Sequence, residues 1–364
     1  MRFDREFRHP QGVDRALAAL REIVRETGPI RLMEICGTHT MAIAKSGLRS
    51  LLPEGLSLIS GPGCPVCVTP AGAIDGILRL SEQHGVLLAS YGDLLRVPGS
   101  ERGDSLLRRR ALGASIQTVY SPMEALSLAR EHPDHEVIFL GVGFETTAPG
   151  TAACLLEARE QKLSNFSVLS LLKRTEPALR ALIADPDFAV NGFLCPGHVA
   201  AITGARAFAF LPQEFRLPAV VSGFEPGDLL YSVWRLADML RRNEPSLENE
   251  YTRVVTEEGN PAALRAMDQV FTTAAAVWRG LGEIPDSALV PRAEFAPWDA
   301  SVKFAFSPSP GAESPGCRCG EVIRGKIRPQ DCPLFGHICT PADPVGPCMV
   351  SGEGACAAAY RYRD

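Results

Sequence analysis

Short β-rich runs, each closed by a loop of Gly, Pro and Thr and followed by a helical pattern, recur through the first two thirds of this chain. After an opening helix carried by Val13, Leu17, Leu20, Ile23 and Val24, residues 31–35 read as a strand leading into Cys36-Gly37-Thr38-His39-Thr40. A helix follows, with Met41, Ala44, Leu48 and Leu51 on one face. Residues 56–59 form the next strand, then Gly61-Pro62-Gly63-Cys64-Pro65-Val66-Cys67, then a helix over 71–82. The strand 86–90 ends in Tyr91-Gly92-Asp93. The plan repeats. Ser121-Pro122-Met123-Glu124 is a capping box with proline at the first helical position. Strand 137–140 runs into Gly143-Phe144-Glu145-Thr146-Thr147. Strand 166–171 follows, 191–194 leads to Cys195-Pro196-Gly197-His198, and 219–221 to Ser222-Gly223-Phe224-Glu225-Pro226. Two long helices are expected near 228–241 and 261–279.

Strands alternating with helices imply an α/β protein, with mostly parallel sheets flanked by helices. Two consecutive blocks suggest two similar lobes, over 1–120 and 121–245, and a third region over 246–364 with a helical segment and a cysteine-rich end. A chain of 364 residues is long enough for such a division. Nearly every unusual loop follows a predicted strand, and open parallel sheets bind ligands beyond the carboxyl ends of their strands. Cys36, His39, Cys64, Cys67, Asp93, Glu145, Cys195 and His198 are therefore expected to converge on one rim or on the cleft between the lobes.

A net charge of −5 argues against a nucleic-acid binder, which needs a basic face. The basic knot Arg108-Arg109-Arg110 reads as a solvated helix end. Met1-Arg2-Phe3-Asp4-Arg5-Glu6 lacks the apolar core of a signal peptide, and no apolar run is long enough to span a membrane. The expected compartment is the cytoplasm, where thiols stay reduced.

In that compartment eleven cysteines need a reason, and six of them fall in the last 48 residues: Cys317, Cys319, Cys332, Cys339, Cys348 and Cys356. Metal or iron–sulfur ligation is the best reason and redox exchange the next. The tail is poor in large apolar residues, and bound metal would supply its folding energy. Its cysteine gaps of 2, 13, 7, 9 and 8 do not match bacterial ferredoxins, and zinc is the plain structural alternative. Cys64-Pro65-Val66-Cys67 is a CxxC on a tight, exposed turn that opens a helix, whose dipole favours thiolate. It suits a metal, a disulfide exchange, or half of a zinc site. Cys36 closes the preceding strand, so parallel pairing brings it near the CxxC; the bland reading is a buried small hydrophobe.

His39 and His198 each offer an iron ligand, a proton shuttle, or a ring bonded to a backbone carbonyl, the commonest fate. Glu145 reads as a proton acceptor or a helix cap. Cys154 falls mid-helix and reads as core. Gly141-Val142-Gly143 lacks the third glycine of a dinucleotide fingerprint, and there is no P-loop.

At these loops the chain resembles the HypD family of nickel–iron hydrogenase maturation proteins. The carrying segments are Cys36-Gly-Thr-His-Thr40, Gly61-Pro-Gly-Cys-Pro-Val-Cys67, Gly143-Phe-Glu-Thr-Thr-Ala-Pro149, Cys195-Pro-Gly-His-Val199 and Ser222-Gly-Phe-Glu-Pro226. In the tail they are Cys317-Arg-Cys-Gly320, Asp331-Cys-Pro-Leu-Phe-Gly336, Cys339-Thr-Pro341 and Gly346-Pro-Cys-Met-Val-Ser351 to Cys356. The resemblance runs from about residue 10 to the end and implies two α/β lobes plus a cluster-bearing region. It implies a complex with a small HypC-type chaperone, on which the Fe(CN)2(CO) unit of the hydrogenase is assembled, cyanide arriving from a HypE-type partner. Cys36 would help hold that iron together with a cysteine of the chaperone, and Cys64 and Cys67 would serve as ligands or as a redox dithiol. A [4Fe-4S] cluster would sit on Cys332, Cys339, Cys348 and Cys356, with Cys317 and Cys319 as the alternative source of ligands. The competing readings are a cluster-dependent thiol–disulfide reductase and a zinc-stapled binding module.

Overall fold

The computed structural model describes residues 10–307 and 309–362; the charged segment Met1–Glu6 lies outside them. Eleven strands are present among these residues. In chain order they are β1 (Ile30–Glu34), β2 (Leu56–Ser60), β3 (Val86–Ser90), β4 (Ile116–Thr118), β5 (Glu136–Gly143), β6 (Phe166–Leu172), β7 (Gly192–Pro196), β8 (Ala219–Ser222), β9 (Leu247–Asn249), β10 (Phe271–Trp278) and β11 (Gly282–Pro291). They form a five-stranded sheet ordered β2-β1-β7-β8-β9, a four-stranded sheet ordered β4-β3-β5-β6, and the two-stranded ribbon β10-β11. Every pair in the two larger sheets is parallel. Strands β3 and β7 are buried along their whole length, as their unbroken apolar runs require when both faces of a sheet are covered.

The sheets interleave in sequence, which corrects the expected division near residue 120. The chain lays down β1 and β2, crosses to build all of the four-stranded sheet with β3–β6, and returns to set β7 beside β1. Helix periodicity cannot reveal which sheet a strand joins, so the consecutive reading missed this crossing. A second correction concerns the helix expected over 261–279. It stops at Val270, and Phe271–Trp278 is a strand. Thr272, Thr273, Val277 and Trp278 favour a pleated surface, and the turn at Gly280 and Gly282, both with positive φ, folds the segment back as a hairpin.

The tail is folded onto the first sheet. Val322, Ile323, Met349 and Val350 are buried there, and the terminal helix Ala355–Tyr362 packs against the helix Gly37–Ser46. No helix among the described residues is long and apolar enough to cross a membrane.

Candidate thiol site between the two sheets

The order of the first sheet reverses between β1 and β7, and ligand sites form at such switch points. A cavity of about 170 Å³ opens there. Its walls come from both sheets: Cys36 and Thr38 after β1, Pro62, Gly63 and Pro65 after β2, Phe144 and Thr147 after β5, Thr175 after β6, and His198 after β7. Trp278, at the end of β10, closes one side, its indole N–H donating to Ser287 Oγ at 2.8 Å.

Cys36 caps the start of the helix Gly37–Ser46 in extended conformation. Burial pushes its thiol up to about 11 and the Glu353 charge adds to the rise, while the amides of His39 and Thr38 pull the other way and lose. The loop after β2 presses on this residue. Gly37 donates its N–H to the Gly63 carbonyl at 3.1 Å, and a Cβ on Gly63 would fall 2.4 Å from the Cys36 nitrogen. Only glycine permits that approach, and it places the CxxC directly behind Cys36.

Cys64 and Cys67 are joined as a disulfide; every other described cysteine is free. Cys64 caps a single helical turn, Pro65–Val68, which contains Cys67 and is separate from the helix Ala71–Leu80. The turn is tight as expected, but both sulfurs are buried rather than exposed, because the tail covers them. They line a small void together with Gly37, Val322, Cys348 and Glu353. Cys36 thus faces the larger cavity, and the disulfide faces the tail through the same loop.

The tail cysteines gather behind this void. Cys319 shares hydrogen bonds with Cys317, Cys348 and Cys356. Cys317, Cys319, Cys332, Cys339 and Cys356 line one apolar pocket with Val322, Leu334, Phe335 and Met349. The Cys339 sulfur accepts the Val345 N–H at 3.3 Å. The hydrogen bond from Cys319 holds the Cys317 thiol down at about 7, with the Arg279 charge helping. Among the described residues no three His, Cys, Asp or Glu side chains already stand ready to hold one metal ion. Cys317, Cys348 and Cys356 hydrogen-bond to Cys319 instead.

The other expected site residues separate. His198 lies exposed on the cavity wall, stacked on Phe224 at 4.0 Å. His39 is fully buried against the same ring, at 4.6 Å. Its Nε2 lies 3.2 Å from the Ser222 carbonyl and 3.0 Å from that of Gly223; carbonyls only accept, so Nε2 carries the proton. Burial holds His39 down at about 4, so it is neutral. Its Nδ1 is buried without a hydrogen-bond partner. Glu145 turns away from the cavity and accepts from the Thr175 N–H and Oγ1, each at 2.7 Å, capping the helix Thr175–Ile183. Asp93 anchors the tail, accepting from Ser351 Oγ at 2.9 Å. Cys195 and Cys154 are fully buried core residues.

Sequence reasoning gave no role to Thr38, Phe224, Trp278, Arg279 or Glu353. For Glu353 a signal existed: a lone carboxylate between two glycines and beside Cys356, a poor place for a merely solvated side chain.

Two interleaved parallel sheets whose strand ends enclose a cavity faced by Cys36, with a disulfide between that cavity and a knot of tail cysteines, define an α/β thiol protein. The profile of HypD, described as the hydrogenase formation hypA family, matches residues 11–363, and the chain belongs to this family. It is 43% identical over 370 residues to the hydrogenase maturation factor HypD of Escherichia coli strain K12, covering all of this chain and 99% of that protein. It is 44% identical over 371 residues to the HypD of Azotobacter vinelandii, covering 97% of that protein. The HypD of Rhodobacter capsulatus is 41% identical over 372 residues, with 98% of it covered.

Proposed function

We propose that this chain is a cytoplasmic hydrogenase maturation factor, a scaffold on which an iron atom receives its cyanide and carbonyl ligands while a HypC-type chaperone docks over the cavity. The observation that carries this reading is the shared loop. Cys36 on one side and the Cys64–Cys67 pair on the other are held by the same contact of Gly63 with Cys36. The iron is cargo. Cys36 would grip it once its proton is lost, since metal binding and thiol deprotonation are linked. A thiolate is a soft ligand that suits iron carrying strong-field ligands. Phe144, Trp278 and Pro62 make the cavity walls apolar and limit water at the bound ion. A HypE-type partner would deliver cyanide as a thiocyanate.

The tail residues fit a [4Fe-4S] cluster by the chemistry of their donors: five of the six tail thiols line one apolar pocket and the sixth, Cys348, bonds to Cys319, where such a cluster takes four, one for each iron. Cys332, Cys339, Cys348 and Cys356 would hold it, with Cys317 and Cys319 as the alternative pair; the contacts of Cys319 with Cys348 and Cys356 favour a set that includes Cys319. Such a cluster supplies electrons singly. Opening the Cys64–Cys67 disulfide takes two electrons and two protons and leaves two thiols; the electrons would originate from a low-potential donor protein. The void shared by the disulfide and Cys348 also favours a second reading, a cluster-dependent thiol–disulfide reductase.

Metal and acid-labile sulfide analysis of anaerobically purified protein tests the proposal. Iron and sulfide near four of each per chain are expected. Zinc without iron would replace the proposal by a zinc-stapled binding module. In the complex with the chaperone, Cys64→Ala or Cys67→Ala should abolish the bound iron centre. Normal maturation in both variants, with turnover of a protein disulfide by the isolated chain, would establish the reductase reading instead.

A further inference from the structure

Arg279 stands at the corner where the CxxC helix, the ribbon and the tail meet. Its backbone N–H donates to the Val68 carbonyl at 2.8 Å and its Nε to the Thr69 carbonyl at 3.0 Å. Its Nη1 pairs with Glu313. The side chain is 4% exposed, whereas that of Glu313 is 46% exposed. Nη2 is buried and has no hydrogen-bond partner. The next residue, Gly280, lies flat against Gly320, so close that a Cβ on Gly280 would fall 2.5 Å from the Gly320 Cα. This contact brings the guanidinium beside the Cys317–Cys319 segment of the tail.

Burying a guanidinium costs free energy unless its donors are satisfied. Capping the end of the Pro65–Val68 turn needs only Nε, and a neutral side chain would serve. Neither the cap nor the Glu313 pair accounts for Nη2, and buried polar atoms without partners are rare enough to need an explanation. A fixed cation bonded to the carbonyl two residues beyond Cys67 and acting on Cys317 of the tail has one evident consequence. Each of the two sulfur centres gains negative charge when reduced, wholly in the case of a cluster and through thiolate formation in the case of the dithiol, and a nearby cation stabilises the reduced form.

We propose that Arg279 is a positioning residue that raises the reduction potentials of the two sulfur centres, the Cys64–Cys67 disulfide and the tail thiols, with Nη2 as the donor directed to the tail sulfurs. For the disulfide the balance is two electrons and two protons taken up and two thiols formed, one of which ionises in part. The tail half of the proposal rests on the iron–sulfur reading above; the disulfide half does not.

The experiment uses the full chain in two arms. In the first, the Cys64–Cys67 pair is equilibrated in dithiothreitol buffers and its free thiols are labelled. In the second, the iron centre is titrated with dithionite and followed by electron paramagnetic resonance. Arg279→Met should lower the reduction equilibrium constant of the disulfide by about threefold or more, which is about 15 mV for a two-electron couple, and should lower the iron centre in the same direction. Arg279→Lys should stay near the wild type. Glu313→Gln, which removes the exposed counter-charge and leaves the buried contacts intact, should shift both in the opposite direction, and it decides the matter if Arg279→Met does not fold. Unchanged constants in Arg279→Met and Glu313→Gln, or an Arg279→Lys shift as large as that of Arg279→Met, would overturn the proposal. A wild-type chain that takes up no iron would overturn the iron–sulfur reading and leave the disulfide arm to judge Arg279.

Discussion

Thr38 donates through its hydroxyl to Glu353 at 2.7 Å, tying the first loop of the cavity to a loop 315 residues further along the chain. The carboxylate sits where it touches both voids, the one faced by Cys36 and the one faced by the disulfide. The tail is thus a wall of the site as well as the carrier of six cysteines.

Gly37 sets how closely that wall can approach. A Cβ there would fall 2.4 Å from the Glu353 Cβ and 2.7 Å from its carbonyl oxygen, and backbone cannot swing aside as a flexible side chain can. Gly37→Ala should cost about 1–3 kcal/mol, as overpacking does. Urea unfolding checks the cost, and hydrogen exchange should rise over 351–356; unchanged exchange there would contradict the contact.

Glu353→Gln separates the two causes of the raised Cys36 pKa. Burial is the larger cause and the Glu353 charge the smaller, so the Cys36 pKa should fall below about 11 and stay above the ordinary 9.0. The pH profile of iodoacetamide alkylation, measured with Cys64 and Cys67 oxidised, gives this value. A pKa that does not move would place the carboxylate too far away to matter.

His39 makes the fold sensitive to acid. Its pKa is about 4 in the folded chain against an ordinary 6.5, so on acidification the unfolded chain takes up the proton first. Its contribution is level above pH 6.5 and stability is lost as pH falls from 6.5 to 4, by roughly 3 kcal/mol at about 1.4 kcal/mol per pH unit. Glu250, raised to about 7 first of all by burial, works in the opposite sense as pH falls towards its ordinary value of 4.5. Comparing His39→Asn with the wild type subtracts that effect. The variant should lose correspondingly less stability between pH 7 and pH 4 in urea titrations; parallel losses would show that His39 is not held neutral.

Cys154 donates its S–H to the Pro122 carbonyl at 3.3 Å and touches neither void. Cys154→Ala should cost about 1–2 kcal/mol in thermal unfolding, through a small cavity and an unpaired carbonyl. It should leave iron and sulfide content unchanged; a loss of iron would tie this cysteine to the site.

The strands that carry the cavity were legible because each is an apolar run ending in a loop of unusual composition. Cys36 and His198 did meet at the strand ends, as that pattern implies. Strands β4 and β9 are three residues each, too short for periodicity to register. The interleaving of the sheets was not legible, since pairing partners are chosen by tertiary packing. Nor was the fate of Glu145, because an acid after a strand reads the same whether it faces a ligand or caps a neighbouring helix. The places of Glu353 and Arg279 depend on the tail folding back across the first sheet, and no local pattern announces that.

The most direct test is the infrared spectrum of this chain in complex with its HypC-type chaperone, purified from cells carrying the maturation machinery. Bands in the nitrile and carbonyl stretching regions, present in the wild type and lost in Cys36→Ser, are the predicted result. A spectrum without those bands in the wild type, or with the same bands after Cys36→Ser, would contradict the assignment of Cys36 as the residue that holds the iron.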